Sequence, residues 1–239
     1  MASKMKILLI GYGKMGKIIE GIVKNRGHEV AGIIDVDDCL TDFHKPVDVA
    51  IEFTQPEAVV SNLKICIDKG IPVVCGTTGW LINRTEVENY CLEKKGAFFY
   101  ASNYSLGVNL FFKLNEFLAR LMDRYPQYAV SIDETHHTQK KDAPSGTAIT
   151  LAEGVIDNLN RKKAWTLGAT ENTEALSINS FRIDPAPGTH TVNYQSAIDD
   201  LEITHTAHSR EGFALGAVLV AEWLAEKKGV FTMDDFLKV

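Results

Sequence analysis

The apolar run Lys6 to Ile10 leads directly into Gly11-Tyr12-Gly13-Lys14-Met15-Gly16, and a helical pattern over Lys17 to Lys24 follows. A strand, a tight turn and a helix in that succession meet the context a dinucleotide fingerprint requires. The first glycine permits the turn, the second lets a pyrophosphate approach the backbone, and the third lets the helix pack close to the strand. The helix N-terminus adds free N–H groups and the positive end of its dipole. Asp35 ends the next strand, Glu29 to Ile34, about 20 residues further on, where a carboxylate accepts from ribose hydroxyls. A glycine-rich turn at any tight βα connection would carry the same glycines. The flanking strand, the helix and Asp35 together favour a cofactor site built from Gly11, Tyr12, Gly13, Lys14, Met15, Gly16 and Asp35. Val36, rather than an arginine, follows Asp35, which tilts the expectation toward NADH over NADPH, although Lys14 or Lys17 could reach a 2′-phosphate.

The alternation continues. Val47 to Phe53, Ile71 to Cys75 and Ala97 to Ala101 read as strands, with helices over Pro56 to Lys69 and Arg84 to Lys95 between them. Strands and helices at this spacing predict a parallel sheet covered on both faces. Near Asn103 the pattern changes. Leu106 to Arg124 reads as a long amphipathic helix, with Phe112, Leu114, Phe117, Leu118 and Leu121 as its apolar positions. Strand-like stretches follow at Tyr128 to Asp133, Leu176 to Ile183, Thr189 to Ser196 and Asp200 to Thr206, interrupted by a helix over Gly146 to Asn160. Strands without regular helical crossovers point to a second domain of the α+β type. The last helix, Phe213 to Lys227, is expected to return to the first domain.

Of the 239 residues, 45% are hydrophobic and 23% charged, which excludes a disordered chain. The net charge of −6 argues against nucleic acid and anionic membrane surfaces as partners. Cys39, Cys66, Cys75 and Cys91 form no CxxC pair and read as reduced thiols of a cytosolic protein. Met1 to Met5 lacks the apolar core of a signal peptide, and the apolar stretch Gly216 to Leu224 is short and broken by Glu222. A soluble, cytoplasmic protein is expected.

The densest polar run is Glu134-Thr135-His136-His137-Thr138-Gln139-Lys140-Lys141-Asp142-Ala143-Pro144-Ser145-Gly146-Thr147. It starts at a strand end and enters a helix, with Pro144 suited to the first turn. Ser145, Gly146 and Thr147 would present N–H groups and hydroxyls together, an arrangement that captures a carboxylate or phosphate. His136, His137 and Lys140 set tunable proton carriers and a cation beside it. A solvated loop ending in a capped helix explains Asp142 to Gly146 but not the histidine pair and lysine before it. A zinc site at His205 and His208 is disfavoured. A strand sends positions three apart to opposite faces, and no HExxH motif or cysteine ligand set exists, so no metal is expected.

These residues resemble the dihydrodipicolinate reductase family, the 4-hydroxy-tetrahydrodipicolinate reductases of lysine and diaminopimelate biosynthesis. The run from Glu134 to Thr147 matches the family's substrate-loop signature. Phe53-Thr54, Gly76-Thr77-Thr78-Gly79 and Ser102-Asn103-Tyr104-Ser105 resemble its cofactor loops, and Glu202 to His205 with Arg210 and Phe213 its closing segment. The resemblance implies a Rossmann-like dinucleotide-binding domain over residues 1–105 and 211–239. It also implies an α+β domain over 106–210 that binds substrate and builds a homotetramer. His136 would be the acid/base residue and Lys140 the proton donor. His137, Ser145, Gly146 and Thr147 would hold a cyclic dicarboxylate. Phe53, Thr54, Gly76, Thr77, Thr78, Ser102, Asn103 and Tyr104 would contact the cofactor. The glycine turn is one residue shorter than the family's usual spacing. Gln55 stands where some relatives carry arginine, again favouring NADH, and Asp184-Pro185-Ala186-Pro187 replaces a glycine-richer turn. Two alternatives stand beside this reading: another two-domain NAD(P)H oxidoreductase of an amino-acid intermediate, and a non-catalytic NADH-sensing protein.

Overall fold

The computed structural model describes residues 4–238, so the reading of the N-terminus lies in part outside the described residues. The chain divides into two compact units. The first holds the described residues up to Leu106 together with those from Glu211 onward. Its elements are β1 (Lys6–Ile10), α1 (Lys14–Asn25), β2 (Glu29–Ile34), β3 (Val49–Glu52), α2 (Pro56–Asp68), β4 (Val73–Cys75), α3 (Arg84–Glu93) and β5 (Ala97–Tyr100). The second holds Gly107–Arg210. It comprises most of α4 (Leu106–Met122), then β6 (Ala129–His136), α5 (Gly146–Asn158), β7 (Ala164–Leu167), β8 (Ala175–Arg182), β9 (Gly188–Gln195) and β10 (Asp200–Ala207). The chain then returns to the first unit through α6 (Glu211–Leu224), β11 (Gly229–Phe231) and α7 (Met233–Leu237).

In the first unit, six strands in the order β11-β5-β4-β3-β1-β2 form a wholly parallel, Rossmann-like sheet. Because side chains alternate across a strand, each strand feeds two cores. Ile7, Leu9 and Phe99 pack with Ile19 and Val23 of α1 and the small, fully buried Ala214, Ala217 and Ala221 of α6. Leu8, Ile10 and Phe98 pack with Val59 and Leu63 of α2 and with Val87 and Cys91 of α3. Glu222, which interrupts the apolar run of α6, pairs with Arg26 at 2.5 Å and His28 at 2.8 Å beyond the end of α1. Cys66, Cys75 and Cys91 are buried thiols and Cys39 is an exposed one. β1 lies between β2 and β3, so the strand order reverses there and opens a crevice at the carboxyl ends of the strands, where such sheets bind ligands.

In the second unit, five strands in the order β10-β9-β6-β8-β7 form a mixed sheet of an α+β domain. α4 and α5 cover one face, burying Phe111, Leu118, Leu151 and Val155 against Ile132, Ile178, Val192 and Tyr194. Two sequence expectations are corrected here. Of the apolar positions assigned to α4, Leu114, Phe117 and Leu121 are about half exposed; the buried stripe is Val108, Phe111, Asn115, Leu118, Ala119 and Met122. The helix carries two apolar stripes. Small Ala119 and the bond from Asn115 Nδ2 to the Leu151 carbonyl (2.9 Å) suit the second one to close contact with α5. The strand expected to end at Asp133 runs on to His136, with strict alternation that keeps Val130, Ile132, Glu134 and His136 on the buried face.

Candidate functional site

The crevice of the first unit is shaped by glycines. Gly11 has φ +91°, a conformation that side chains disfavour, and a β-carbon there would overlap the carbonyl oxygen of Phe53. A β-carbon at Gly16 would overlap the Gly11 carbonyl, so α1 starts tight against the turn. Gly13 differs: a β-carbon would meet nothing within 4 Å. Gly13 is also the N-cap of α1 and supplies no side-chain cap, so the first N–H groups of Lys14, Met15 and Gly16 have no side-chain acceptor. Open space in front of uncapped N–H groups fits a pyrophosphate. Tyr12 is half-buried and bonded to Glu20, Lys14 is exposed, and Met15 packs against the core.

The neighbouring strand ends carry the other predicted contacts. Phe53 follows β3 and lies over Gly76, where a β-carbon would overlap its ring. Thr54 N–H donates to Thr77 Oγ1 (2.7 Å). Thr78 and Ser102 are exposed, and Asn103 accepts from Ser105 N–H at 2.9 Å. Tyr104 is buried, tilts against Phe53 at 5.8 Å and donates to the Cys75 carbonyl at 2.6 Å. Its part is thus to support Phe53 from below. Sequence reasoning missed Glu52. This fully buried carboxylate accepts from Thr77 Oγ1 (2.8 Å), from Cys75 Sγ (3.3 Å) and from Thr54, tying two loops together. Burial pushes its carboxyl above the ordinary range despite those bonds. Asp35 is exposed just beyond β2 with Asp37 and Asp38 close behind, and Asp38 accepts from the Asp35 N–H at 2.9 Å.

In the second unit, β6 and the start of α5 bring the polar run together around Glu134. Its Oε1 accepts from Ser145 N–H (3.1 Å), Ser180 Oγ (2.7 Å) and Arg182 Nη2 (3.1 Å). Its Oε2 has His136 Nδ1 at 3.2 Å and His190 Nε2 at 3.8 Å. Burial alone would raise the Glu134 carboxyl, but donors at His136, Ser145, Ser180 and Arg182 hold it well below the usual carboxylate range. Ser145 caps α5, accepting from Ala148 N–H at 3.2 Å and meeting His190 Nε2 at 3.1 Å. Its buried hydroxyl is therefore engaged internally, and Gly146 and Thr147 present the N–H groups of the helix start. His137 is half-buried in the loop after β6, and its carbonyl accepts from Lys140 N–H at 3.1 Å. Lys140 Nζ pairs with both oxygens of Asp142 at 2.8 Å.

Arg182, also missed by sequence reasoning, faces His136 in the β6–β8 register and holds the carbonyls of Lys140 (3.3 Å) and Asp142 (2.6 Å). Asp184 accepts from Thr138 N–H (3.1 Å) and Thr138 Oγ1 (2.6 Å), so the proline-rich turn anchors the loop after β6. Among the described residues, Glu134, His136 and His190 are the one group close enough to hold a metal ion, their ligand atoms lying within 4.8 Å. Three donors, one of them a guanidinium, already compensate the carboxylate, which disfavours a cation there. His205 lies on β10, stacked on Phe111 at 6.1 Å, and His208 falls beyond the strand.

Burial, with the neighbouring His136, pushes His190 down to about 4 from 6.5. The folded state therefore resists a proton that the unfolded chain accepts, so stability is complete above pH 6.5 and falls as the pH drops toward 4. The expected loss is up to about 3 kcal/mol, read as a pH series of urea unfolding curves that flattens in His190→Asn. Equal slopes in the two proteins would contradict it.

Family models described as "Dihydrodipicolinate reductase, N-terminus" and "Dihydrodipicolinate reductase, C-terminus" match residues 5–104 and 107–237. The chain is 50% identical over 236 residues to the 4-hydroxy-tetrahydrodipicolinate reductase of Christiangramia forsetii, covering 98% of each chain. It is 35% identical to the enzyme of the same name from Archaeoglobus fulgidus, over 92% of this chain and 88% of that one. Among solved structures, a dipicolinate-bound dihydrodipicolinate reductase from Paenisporosarcina sp. TG-14 shares the fold with a TM-score of 0.73 and 22% identity, covering 96% of this chain and 97% of that one.

Proposed function

This chain belongs to the dihydrodipicolinate reductase family, and we propose that His136 and Lys140 handle the protons of its reaction while the turn from Gly11 to Gly16 holds the reductant. It is an NAD(P)H-dependent 4-hydroxy-tetrahydrodipicolinate reductase, an oxidoreductase of lysine and diaminopimelate biosynthesis. The observation that carries the residue assignment is one buried carboxylate, Glu134, which touches both the ring of His136 and the N–H of Ser145 at the start of α5. A proton carrier and an anion cradle are thereby built on one hub. The free N–H groups of Gly146 and Thr147, with His137 and Lys140 nearby, would receive the carboxylates of a cyclic dicarboxylate.

When bound, the nicotinamide supplies the hydride. Adding it leaves negative charge on the substrate that takes up one proton, which His136 gives as acid; Lys140 stabilises the charge and returns a proton to His136, and solvent recharges Lys140. Lys140 must leave Asp142 to do so, an exposed ion pair that costs little to break. Phe53, Thr54, Gly76, Thr77, Thr78, Ser102 and Asn103 line the strand ends where the nicotinamide half would rest. The test is oxidation of NADH and NADPH with substrate generated in situ from pyruvate and aspartate semialdehyde by the preceding synthase. Oxidation that needs both enzymes supports the reading; cofactor binding without oxidation would overturn it.

NADH is the favoured reductant in this reading. Asp35, Asp37 and Asp38 cluster at the end of β2, and Val36 between them is exposed. A 2′-phosphate would sit against like charge there. The expected kcat/KM for NADH exceeds that for NADPH by at least about 10-fold, and Asp35→Ser narrows the ratio. Equal efficiencies would contradict the assignment. We also read the chain as a cytoplasmic homotetramer assembled through the second unit. Apolar Leu167, Phe181, Ile183 and Leu201 on and beside its sheet are substantially exposed in the single chain. Among the described residues no helix is long and apolar enough to cross a membrane. Light scattering after size exclusion checks the oligomeric state.

A further inference from the structure

We propose that Glu134 is a positioning residue that fixes the proton of His136 on Nδ1 and thereby leaves Nε2 as the working nitrogen. The proposal rests on the reading of His136 as the acid/base group. β6 places both residues on its buried face, two positions apart, where the strand period brings their side chains to the same side. The three donors on Oε1 come from different parts of the fold: Ser145 at the start of α5, and Ser180 and Arg182 on β8. That clamp leaves the carboxylate no freedom to turn. Oε2 accordingly faces His136 Nδ1 at 3.2 Å, with His190 Nε2 next at 3.8 Å.

Glu134 Oε2 and His136 Nδ1 are both buried and neither has another hydrogen-bond partner, and an ionised carboxylate only accepts, so the proton that can satisfy the pair is the ring's. The donors around Glu134 keep it ionised well below neutrality. His190 walls the ring on another side, edge to face at 5.0 Å. The opposite ring nitrogen, Nε2, faces a glycine, Gly188. A β-carbon at Gly188 would stand 3.0 Å from His136 Nε2, so the missing side chain clears the approach to that atom. The same carboxylate also holds the cradle. Through Ser145 N–H it sets the start of α5, and through Arg182 it holds the backbone carbonyl of Asp142. A single group thus sets the tautomer of the acid and the place of the anion it serves, in the manner of a base–orienter pair.

Nitrogen-labelled histidine NMR on the unaltered protein reads the tautomer directly. At about pH 8.5, where imidazoles are neutral, His136 is expected in the Nδ1–H form. The Nε2–H form overturns the proposal without any variant being made. Kinetics supplies the second readout. Glu134→Gln is expected to lower kcat about 10-fold or more, with KM for NADH within about 2-fold. In a His136→Gln background the same change is expected to add less than about 2-fold, because the amide oxygen of Gln can still accept from the cradle's donors and the route through the ring is gone. Equal losses in both backgrounds overturn the proposal alone. Near-normal turnover of His136→Gln by itself overturns the acid/base reading and this proposal with it.

Discussion

His136→Gln and Lys140→Ala are each expected to lower kcat about 100-fold or more while leaving the affinity for NADH unchanged. The two residues reach the same reaction from different supports. His136 is held in a strand, buried, with its Nδ1 on Glu134 and its Nε2 toward Gly188. Such a ring needs no reorganisation before it gives a proton. Lys140 sits in a loop that Arg182 and Asp184 pin from β8 and the turn beyond it. Its ammonium rests on Asp142 and is free to exchange partners when a dianionic substrate arrives. The two losses should therefore differ in kind. Lys140→Ala is expected to raise KM for the substrate together with its loss in kcat, because the ammonium also binds a carboxylate. His136→Gln is expected to act mainly on kcat. Steady-state kinetics at saturating NADH, with NADH binding followed by fluorescence, separates the two. Near-normal turnover in both variants would remove these residues from the mechanism.

Much of the fold was legible because it obeys short periods. Strands β1 to β5 are apolar runs bounded by turns, and α1 to α3 carry the helical repeat between them. The misses have physical causes. β7 is almost wholly exposed and β11 is only three residues long, so neither leaves a hydrophobic pattern. The face of α4 was misassigned because both of its stripes are apolar, and the choice between them was made by contacts with α5 far along the chain. At the site, the anion cradle and the proton carriers were visible as a local motif. Glu134 was visible too, but only as the first letter of that motif. Its meaning depends on Arg182, which faces His136 across the parallel β6–β8 pair. The role of the Asp184 turn likewise depends on Thr138 and could not be read from spacing. Glu52 was hidden for a further reason. In sequence it is one acidic residue at the end of an apolar strand, and only the paired β3 and β4 ends reveal it as the anchor of Thr54 and Thr77.

Two glycines of one turn should fail in different ways when each is replaced by alanine. Gly11 is bound by its own N–H to the Ile34 carbonyl at 2.8 Å, with φ +91°. Its added β-carbon would overlap the Phe53 carbonyl, and Phe53 cannot retreat freely because its N–H is tied to Ile10 at 2.8 Å. Left-handed backbone alone costs a side chain about 1–2 kcal/mol, and the overlap adds to it. Gly11→Ala is therefore expected to lose about 3 kcal/mol of stability and at least about 100-fold in NADH affinity, since the turn must move. Gly13 has φ −73° and empty space beyond it. Gly13→Ala is expected to unfold within about 0.5 kcal/mol of the parent, yet to bind NADH at least about 10-fold more weakly, because its methyl occupies the pyrophosphate's approach. Urea unfolding and NADH fluorescence titration on the same preparations measure both quantities. If Gly13→Ala bound NADH normally, the pyrophosphate would not lie over that turn. If Gly11→Ala were as stable as the parent, the contact between β1 and β3 that shapes the crevice would not be the constraint described.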